Sequence, residues 1–484
     1  MISGGINDSS ALFGLKNLES LNLAENKFSS IPISSRFGSL ASLSYMNLSN
    51  SGFSGQVPGE LSQLTRLEIL DLSEPFSFGV RSLRLEKPNL STLVQNLTRL
   101  RGLYLDNVNI SAQKLDWSQG LSSSLLNLEV LSLSNCQLSG PLDDSFGELQ
   151  SLSVIRLALN KLSSPVPGFF ANFKNLTVLN LASCNLTGRI PDSICNATYL
   201  RVLDLARNNL TGRIPKCLIE FGGSLEVLDL ANNRLTDQTK GTFPSTCGLN
   251  FLDLRGNSME GKISRSLVNC TMLQVLDIGN NRMNDTYPCY LGNLANLSIL
   301  VLSNNRFHGS VQCPPSQHNN WSMLQIVDIA YNEFSGTIPD NFFLQWGAMM
   351  TDERSGKKPL SFTAIDISSN RFSGVIPETI GQLKALILFN VSHNEFTGSI
   401  PQSMGNLSQL ESLDMSRNKL TGNIPSSFTS LNFLSTLNLS YNQLEGRIPF
   451  STQLQSFEKY SYIGNNGLCG APLDRACNSS EYIW

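Results

Sequence analysis

The stretch "LDLARNNLTGRIP" at residues 203–215 returns almost letter for letter as "LDMSRNKLTGNIP" at residues 413–425. Around both copies the chain repeats one phrase, L-x-L-x-x-N-x-L, often followed by T/S-G-x-I-P. The Asn marks the phase. It falls at Asn26, Asn160, Asn208, Asn233, Asn257, Asn281, Asn305, Asn332, Asn370, Asn394, Asn418 and Asn442, and Cys136 and Cys184 fill the same slot. Ser51 and Val108 occupy it in weaker copies and a degenerate copy passes near Pro75, which makes 17 units. Steps such as Asn257 to Asn281 to Asn305 are 24 residues long, a period that signals stacked coils.

Each position of the phrase has a physical job. The two leucines of L-x-L point inward and the residues between them face solvent, as strand alternation requires. One such strand cannot bury its apolar side alone, so neighbours stack. The Asn turns inward and satisfies backbone groups of the adjacent turn, with Cys as a small buryable stand-in. The Gly and Pro of T/S-G-x-I-P supply a tight bend and a fixed φ, which places that segment on the non-strand side. This is a leucine-rich repeat. The expected fold is an α/β-type leucine-rich-repeat solenoid, a curved right-handed coil with a parallel sheet on its concave face and 3₁₀ or irregular segments on its convex face. Long curved surfaces of this kind bind other molecules.

Two stretches break the rhythm, residues 71–103 and the step of 38 residues from Asn332 to Asn370. The centre of the second, "TDERSGKKP" at 351–359, is charged and carries Gly and Pro, so it is predicted to be an exposed loop. It reads either as a tolerated surface excursion or as a contact element. The predicted organisation is repeats over 1–332, a shortened island over 333–362, four repeats over 363–449, and a cap and tail over 450–484.

Composition narrows the function. Charged residues make up 15%, and 35 basic against 38 acidic side chains give a formal charge of −3. There is no basic excess for nucleic acid or an anionic membrane. No apolar run approaches the roughly 18 residues of a membrane span, and "MISGGINDSS" lacks the basic flank and apolar core of a secretory signal. The three histidines, His308, His318 and His393, lack metal-ligand spacing. No G-x-S-x-G, H-E-x-x-H or phosphate-binding loop occurs. No catalytic residue, metal site or cofactor is therefore predicted. The column Asp204, Asp229, Asp253, Asp277, Asp328, Asp366 and Asp414 recurs with the phrase itself, so it reads as structural.

Ten cysteines are present. Cys289 and Cys313 are 24 apart and share a phase in adjacent coils, which brings them within disulfide range. Cys469 and Cys477 bracket the end, consistent with a cap disulfide. Cys195 with Cys217 and Cys247 with Cys270 are looser candidates, and Cys136 and Cys184 read as buried ladder thiols. The chain holds 17 N-x-S/T triplets, among them Asn96, Asn109, Asn196, Asn296 and Asn406, the candidate glycosylation sites of a glycoprotein.

The repeats also carry a resemblance. "L-x-G-x-I-P", "LEKPNLS" at 85–91, "DSICNATYLRVLDLARNNLTGRIPKCL" at 192–218, "FFLQWGAMM" at 342–350 and "STQLQSFEKYSYIGNNGLCGAPL" at 451–473 resemble the ectodomains of plant leucine-rich-repeat receptor-like proteins, in particular the Verticillium wilt resistance type. The resemblance implies an extracellular glycoprotein on the plasma membrane that senses a pathogen-derived or other protein or peptide and signals through co-receptor and adaptor receptor kinases. It also implies a signal segment, a Cys-bearing N-terminal cap, a membrane helix and a longer island, none of which shows in these residues. A secreted inhibitor of cell-wall-degrading enzymes and a developmental peptide receptor are the alternatives.

A partner-binding column is predicted just before the ladder Asn. It runs Arg207, Asn232, Gly256, Asn280, Asn304, then Tyr331, Ser369, His393, Arg417, Tyr441. Small and amide residues give way to the aromatic and cationic types that dominate interface energies. Tyr331, His393, Arg417 and Tyr441 are the candidates, because the resemblance places co-receptor contacts on the last repeats and the island.

Overall fold

A computed structural model describes residues 6, 8–28, 30–74, 83–110, 117–220, 224–236, 241–314, 321–350 and 362–477. The degenerate copy near Pro75, the charged centre of the 333–362 insertion and His318 lie outside the described residues. The chain divides into two units, 1–236 and 237–484, and each is a stack of coils.

Among the described residues the first unit contributes nine three-residue strands, from Ser20–Asn22 to Val227–Asp229, and the second contributes eight, from Phe251–Asp253 to Thr436–Asn438. The pairings are parallel and strictly in phase: Leu413 lies opposite Phe389 on one side and Leu437 on the other. In-phase pairing keeps every inward leucine on one face. Leu413 and Phe389 are fully buried, while Ser412 and Asp414 are half-buried on the other face. Each buried leucine contributes about 1.5–3 kcal/mol, and no single coil could collect that alone.

The ladder asparagines tie coil to coil. Asn394 Nδ2 donates to the carbonyls of Ile367 at 3.1 Å in the preceding coil and of Val391 and Ser392 in its own, and its Oδ1 accepts from Phe372 N–H at 3.0 Å. An amide serves because it both donates and accepts. Cys136 and Cys184 only donate from the inside, each Sγ reaching a carbonyl of the coil before, Leu105 and Leu157, at 3.0 Å. Both are buried free thiols, and burial pushes Cys184 up to about 11 and Cys136 upward as well. They are inert, as ladder thiols should be. One ladder member escapes the sequence phrase. Asn465 accepts from Leu444 N–H at 3.1 Å and donates to Leu439 O at 3.0 Å, with Tyr462 filling the leucine slot.

The aspartate column is structural. Its Oδ1 accepts the N–H two residues on, as in Asp204 with Ala206 at 3.1 Å, Asp328 with Ala330 at 3.1 Å and Asp414 with Ser416 at 2.9 Å. This closes the bend that ends the strand.

One expectation needs correcting. The T/S-G-x-I-P segment is not merely a bend on the non-strand side; it forms a second set of short parallel strands. Seven of these pair in the second unit, from His308–Gly309 through Lys419–Asn423 to Gly467–Cys469. Identical phase in successive coils brings their backbones to pairing distance as surely as it does for L-x-L, and Gly422 supplies the φ of +73° that the path requires. The Pro that follows caps a 3₁₀ segment: Pro401 at φ −57° precedes Gln402–Asn406. Inside the second unit Phe307, Phe334, Phe372 and Phe396, all two residues after a ladder Asn, stack with centroids 6.0–6.2 Å apart, a geometry that adds to their burial.

Glu74 breaks the pattern in the first unit. Its Oε1 is buried without a hydrogen-bond partner, and burial raises its pKa from 4.5 to about 7. The folded state then holds this proton more tightly than the unfolded chain. The group's contribution to stability is full below pH 4.5 and is lost as pH rises through about 7. Glu74→Gln is expected to match wild type in urea midpoint at pH 4.5 and to exceed it above pH 7; a wild-type advantage above pH 7 would refute the assignment.

Candidate functional site

The column before each ladder Asn has a backbone reason to exist. Every described member lies in the left-handed region except Glu74: Asn280 and Asn304 at φ +52°, Gly256 at +65°, Tyr331 and Ser369 at +51°, His393 at +53°, Arg417 at +52° and Tyr441 at +56°. That conformation lets the next residue, the ladder Asn, turn inward. In the second unit the column N–H groups also pin coil to coil: Tyr331 to Ser368 O, His393 to Ser416 O, Arg417 to Ser440 O and Tyr441 to Ile463 O, at 2.8–3.0 Å. Asn and Gly tolerate the left-handed region; bulkier residues there cost roughly 1–2 kcal/mol. The amides and glycine at 256, 280 and 304 are therefore backbone choices. In the sequence they looked like a chemical gradient.

From Tyr331 onward five successive coils forgo Asn and Gly. Tyr331 is 63% exposed and Tyr441 47%, and His393 and Arg417 are exposed too, so core packing does not demand them. Arg417 Cζ lies 4.7 Å from the centroid of the Tyr441 ring, a cation–π stack that holds both side chains flat. His393 Nδ1 approaches Ser392 Oγ at 3.3 Å. The structure thus places Tyr331, His393, Arg417 and Tyr441 in one column of the second unit, with Ser369 between the first two. The same turn carries Leu159 and Arg207 in the first unit, so the conformation belongs to the repeat, and the exposed aromatic and cationic side chains are what distinguish these last coils. The Arg417–Tyr441 stack had no sequence signal beyond their spacing of 24.

Four disulfides are formed, Cys195–Cys217, Cys247–Cys270, Cys289–Cys313 and Cys469–Cys477. Cys195 and Cys289 lie in the 3₁₀ segments Asp192–Asn196 and Cys289–Asn293, so these links brace the side away from the long sheets. Peptide mapping without reduction is expected to recover all four pairs, with Cys136 and Cys184 alkylated only after unfolding; any other pairing would contradict the fold. Of the candidate glycosylation sites, Asn96, Asn196, Asn296 and Asn406 are exposed and Asn109 is half-buried. Among the described residues no three His, Cys, Asp or Glu side chains are placed to hold a metal ion, and no helix is long and apolar enough to cross a membrane.

The repeats define a leucine-rich-repeat solenoid. Leucine rich repeat profiles match residues 126–186, 223–283 and 361–420, and a second profile of the same description matches 17–40, 199–221 and 433–453. Receptor-like protein 6 of Arabidopsis thaliana is 38% identical over 146 residues, 30% of this chain and 14% of that protein. Receptor-like protein Cf-9 of Solanum pimpinellifolium is 37% identical over 143 residues, 30% of this chain and 15% of that protein. The crystal structure of the Arabidopsis receptor kinase HAESA, in complex with the peptide hormone IDA and the co-receptor SERK1, superposes with a TM-score of 0.68 at 30% identity, covering 98% of this chain and 82% of that one. The chain belongs to the plant leucine-rich-repeat receptor-like proteins. The matched stretches span about one seventh of the two curated relatives' lengths.

Proposed function

We propose that the chain is the extracellular recognition module of a plant receptor-like protein at the plasma membrane. It takes an apoplastic protein or peptide, pathogen-derived in a defence role, on its strand face, and it signals through partner receptor kinases. The observation that carries this reading is the column from Tyr331 to Tyr441, where exposed aromatic and cationic side chains occupy a strained backbone position that Asn or Gly would fill at lower cost. The likeness to HAESA, which was captured with both a peptide and a co-receptor, supports the same division of labour. The test is association of the glycosylated chain with a SERK1-type co-receptor ectodomain, measured by analytical gel filtration and biolayer interferometry with and without candidate peptide ligands. Association under either condition supports the reading. Its absence under both removes the docking role.

A further inference from the structure

The phrase "LTGR" stands at 186–189 and again at 210–213, and the next coil continues with Arg234. In the first unit these segments form the short strands Thr187–Arg189, Asn209–Gly212 and Arg234–Leu235. They pair in parallel, with Arg189 opposite Thr211 and Thr211 opposite Arg234. Arg213 follows directly on the middle strand. Leu210 and Leu235 are buried beneath, while Arg189, Arg213 and Arg234 are exposed. Each of three adjacent coils thus presents one guanidinium, and neighbouring strands lie about 4.8 Å apart.

Elsewhere the same set of strands neutralises cations. In the second unit Arg371 pairs with Glu333 at 3.1 Å, Lys419 with Glu395 at 2.9 Å and Arg282 with Glu260 at 3.7 Å. Among the described residues Arg189, Arg213 and Arg234 have no ion pair and no side-chain hydrogen bond. Three like charges on adjacent strands repel one another, a cost that no acid of the described chain offsets. Arg189 is also steered. Its Cγ, Cδ and Nε lie 3.1–3.3 Å from where a Cβ on Gly212 would stand, so its stem crosses the middle strand over a residue without a side chain.

We propose that this face binds a linear polyuronate, a polysaccharide with one carboxylate on each sugar. A guanidinium receives a carboxylate through two parallel N–H···O bonds. One arginine per coil matches a chain with one carboxylate per pyranose, a unit about as long as the strand spacing. Thr187, Asn209, Thr211 and Thr236 complete the outer face, and their hydroxyls and amide suit sugar hydroxyls. An acidic protein would call for an apolar or aromatic anchor, and a single-stranded nucleic acid for an aromatic platform under its bases. These strands present neither. The inference is independent of the co-receptor reading, whose column belongs to the second unit. Asn185 and Asn209 begin N-x-T triplets at the foot of these strands, and a glycan on either would spread over the arginines. Their amides are joined instead, Asn209 Nδ2 to Asn185 Oδ1 at 3.0 Å and Asn185 Nδ2 to Ser163 Oγ at 2.9 Å, and both are expected to be unmodified.

The test is calorimetric titration of the full glycosylated chain with hexagalacturonate, cellohexaose and hexaglutamate. Saturable binding of hexagalacturonate that weakens as salt rises is expected, with no response to the other two. Arg189→Gln with Arg234→Gln is expected to weaken hexagalacturonate about 100-fold, about tenfold for each charge-assisted pair. The melting temperature is expected to hold, because both side chains are exposed. If the double variant does not fold, Arg213→Gln reads the same face with an expected loss of about tenfold. Arg282→Gln, which removes a paired cation, is expected to bind as wild type does. No binding of hexagalacturonate, equal binding of hexaglutamate, wild-type affinity in the folded face variants, an equal loss in Arg282→Gln, or a glycan mapped to Asn185 or Asn209 would overturn the proposal.

Discussion

Replacing Arg417 and Tyr441 together by alanine is expected to weaken co-receptor association by about 2–4 kcal/mol, a loss of roughly 30- to 1000-fold in affinity, while the solenoid melts as before. Both side chains are exposed and stack on each other, so truncation removes contact area and a preorganised cation without opening the core. A companion pair separates binding from structure. Arg417→Asn with Tyr441→Asn installs the residue type that the left-handed backbone prefers, so stability is expected to hold or rise even as binding falls. Opposite movement of the two quantities identifies residues kept for function. Biolayer interferometry and calorimetry on the same preparations read both. Equal binding by wild type and both double variants would place the docking surface elsewhere.

Asn281→Ala is expected to destabilise the second unit locally by about 1–3 kcal/mol through orphaned buried groups. Asn281 Nδ2 donates to Leu254 O, Ile278 O and Gly279 O at 3.0–3.1 Å, and its Oδ1 accepts from Met259 N–H at 3.0 Å. Alanine removes all four bonds and substitutes none. Because each coil touches only its neighbours, the effect stays local. Hydrogen exchange should quicken at Met259 and across 257–305 and remain unchanged around Asn418. Unaltered protection at Met259 would show that the ladder bond carries no stability.

Much of this was legible in advance because a repeat reports its own contacts. A constant step of 24 residues says which residue of one coil sits beside which residue of the next. Cys289 could thus be matched to Cys313, and L-x-L could be assigned to parallel strands. The same logic fell short at Asn465, whose coil substitutes Tyr462 for leucine and so hides the phrase while keeping the hydrogen bonds. It also fell short at the second sheet. The glycine there signals a bend, and pairing of bent segments depends on how close the coils approach.

By itself the sequence determined the architecture: a solenoid of in-phase coils, an asparagine ladder and buried ladder thiols. These depend on periodicity and on which side chains water rejects, both of which are properties of order along the chain. Only the tertiary structure shows the backbone on which the column stands. The positive φ of Asn280 and Asn304 explains their amides, and the same φ at Tyr331, His393, Arg417 and Tyr441 shows that these larger side chains stand on the turn that the repeat uses throughout. That the Tyr287 hydroxyl is buried without a hydrogen-bond partner is equally a fact of the fold. Backbone conformation and hydrogen-bond satisfaction are relations among atoms in space, and a letter code records neither.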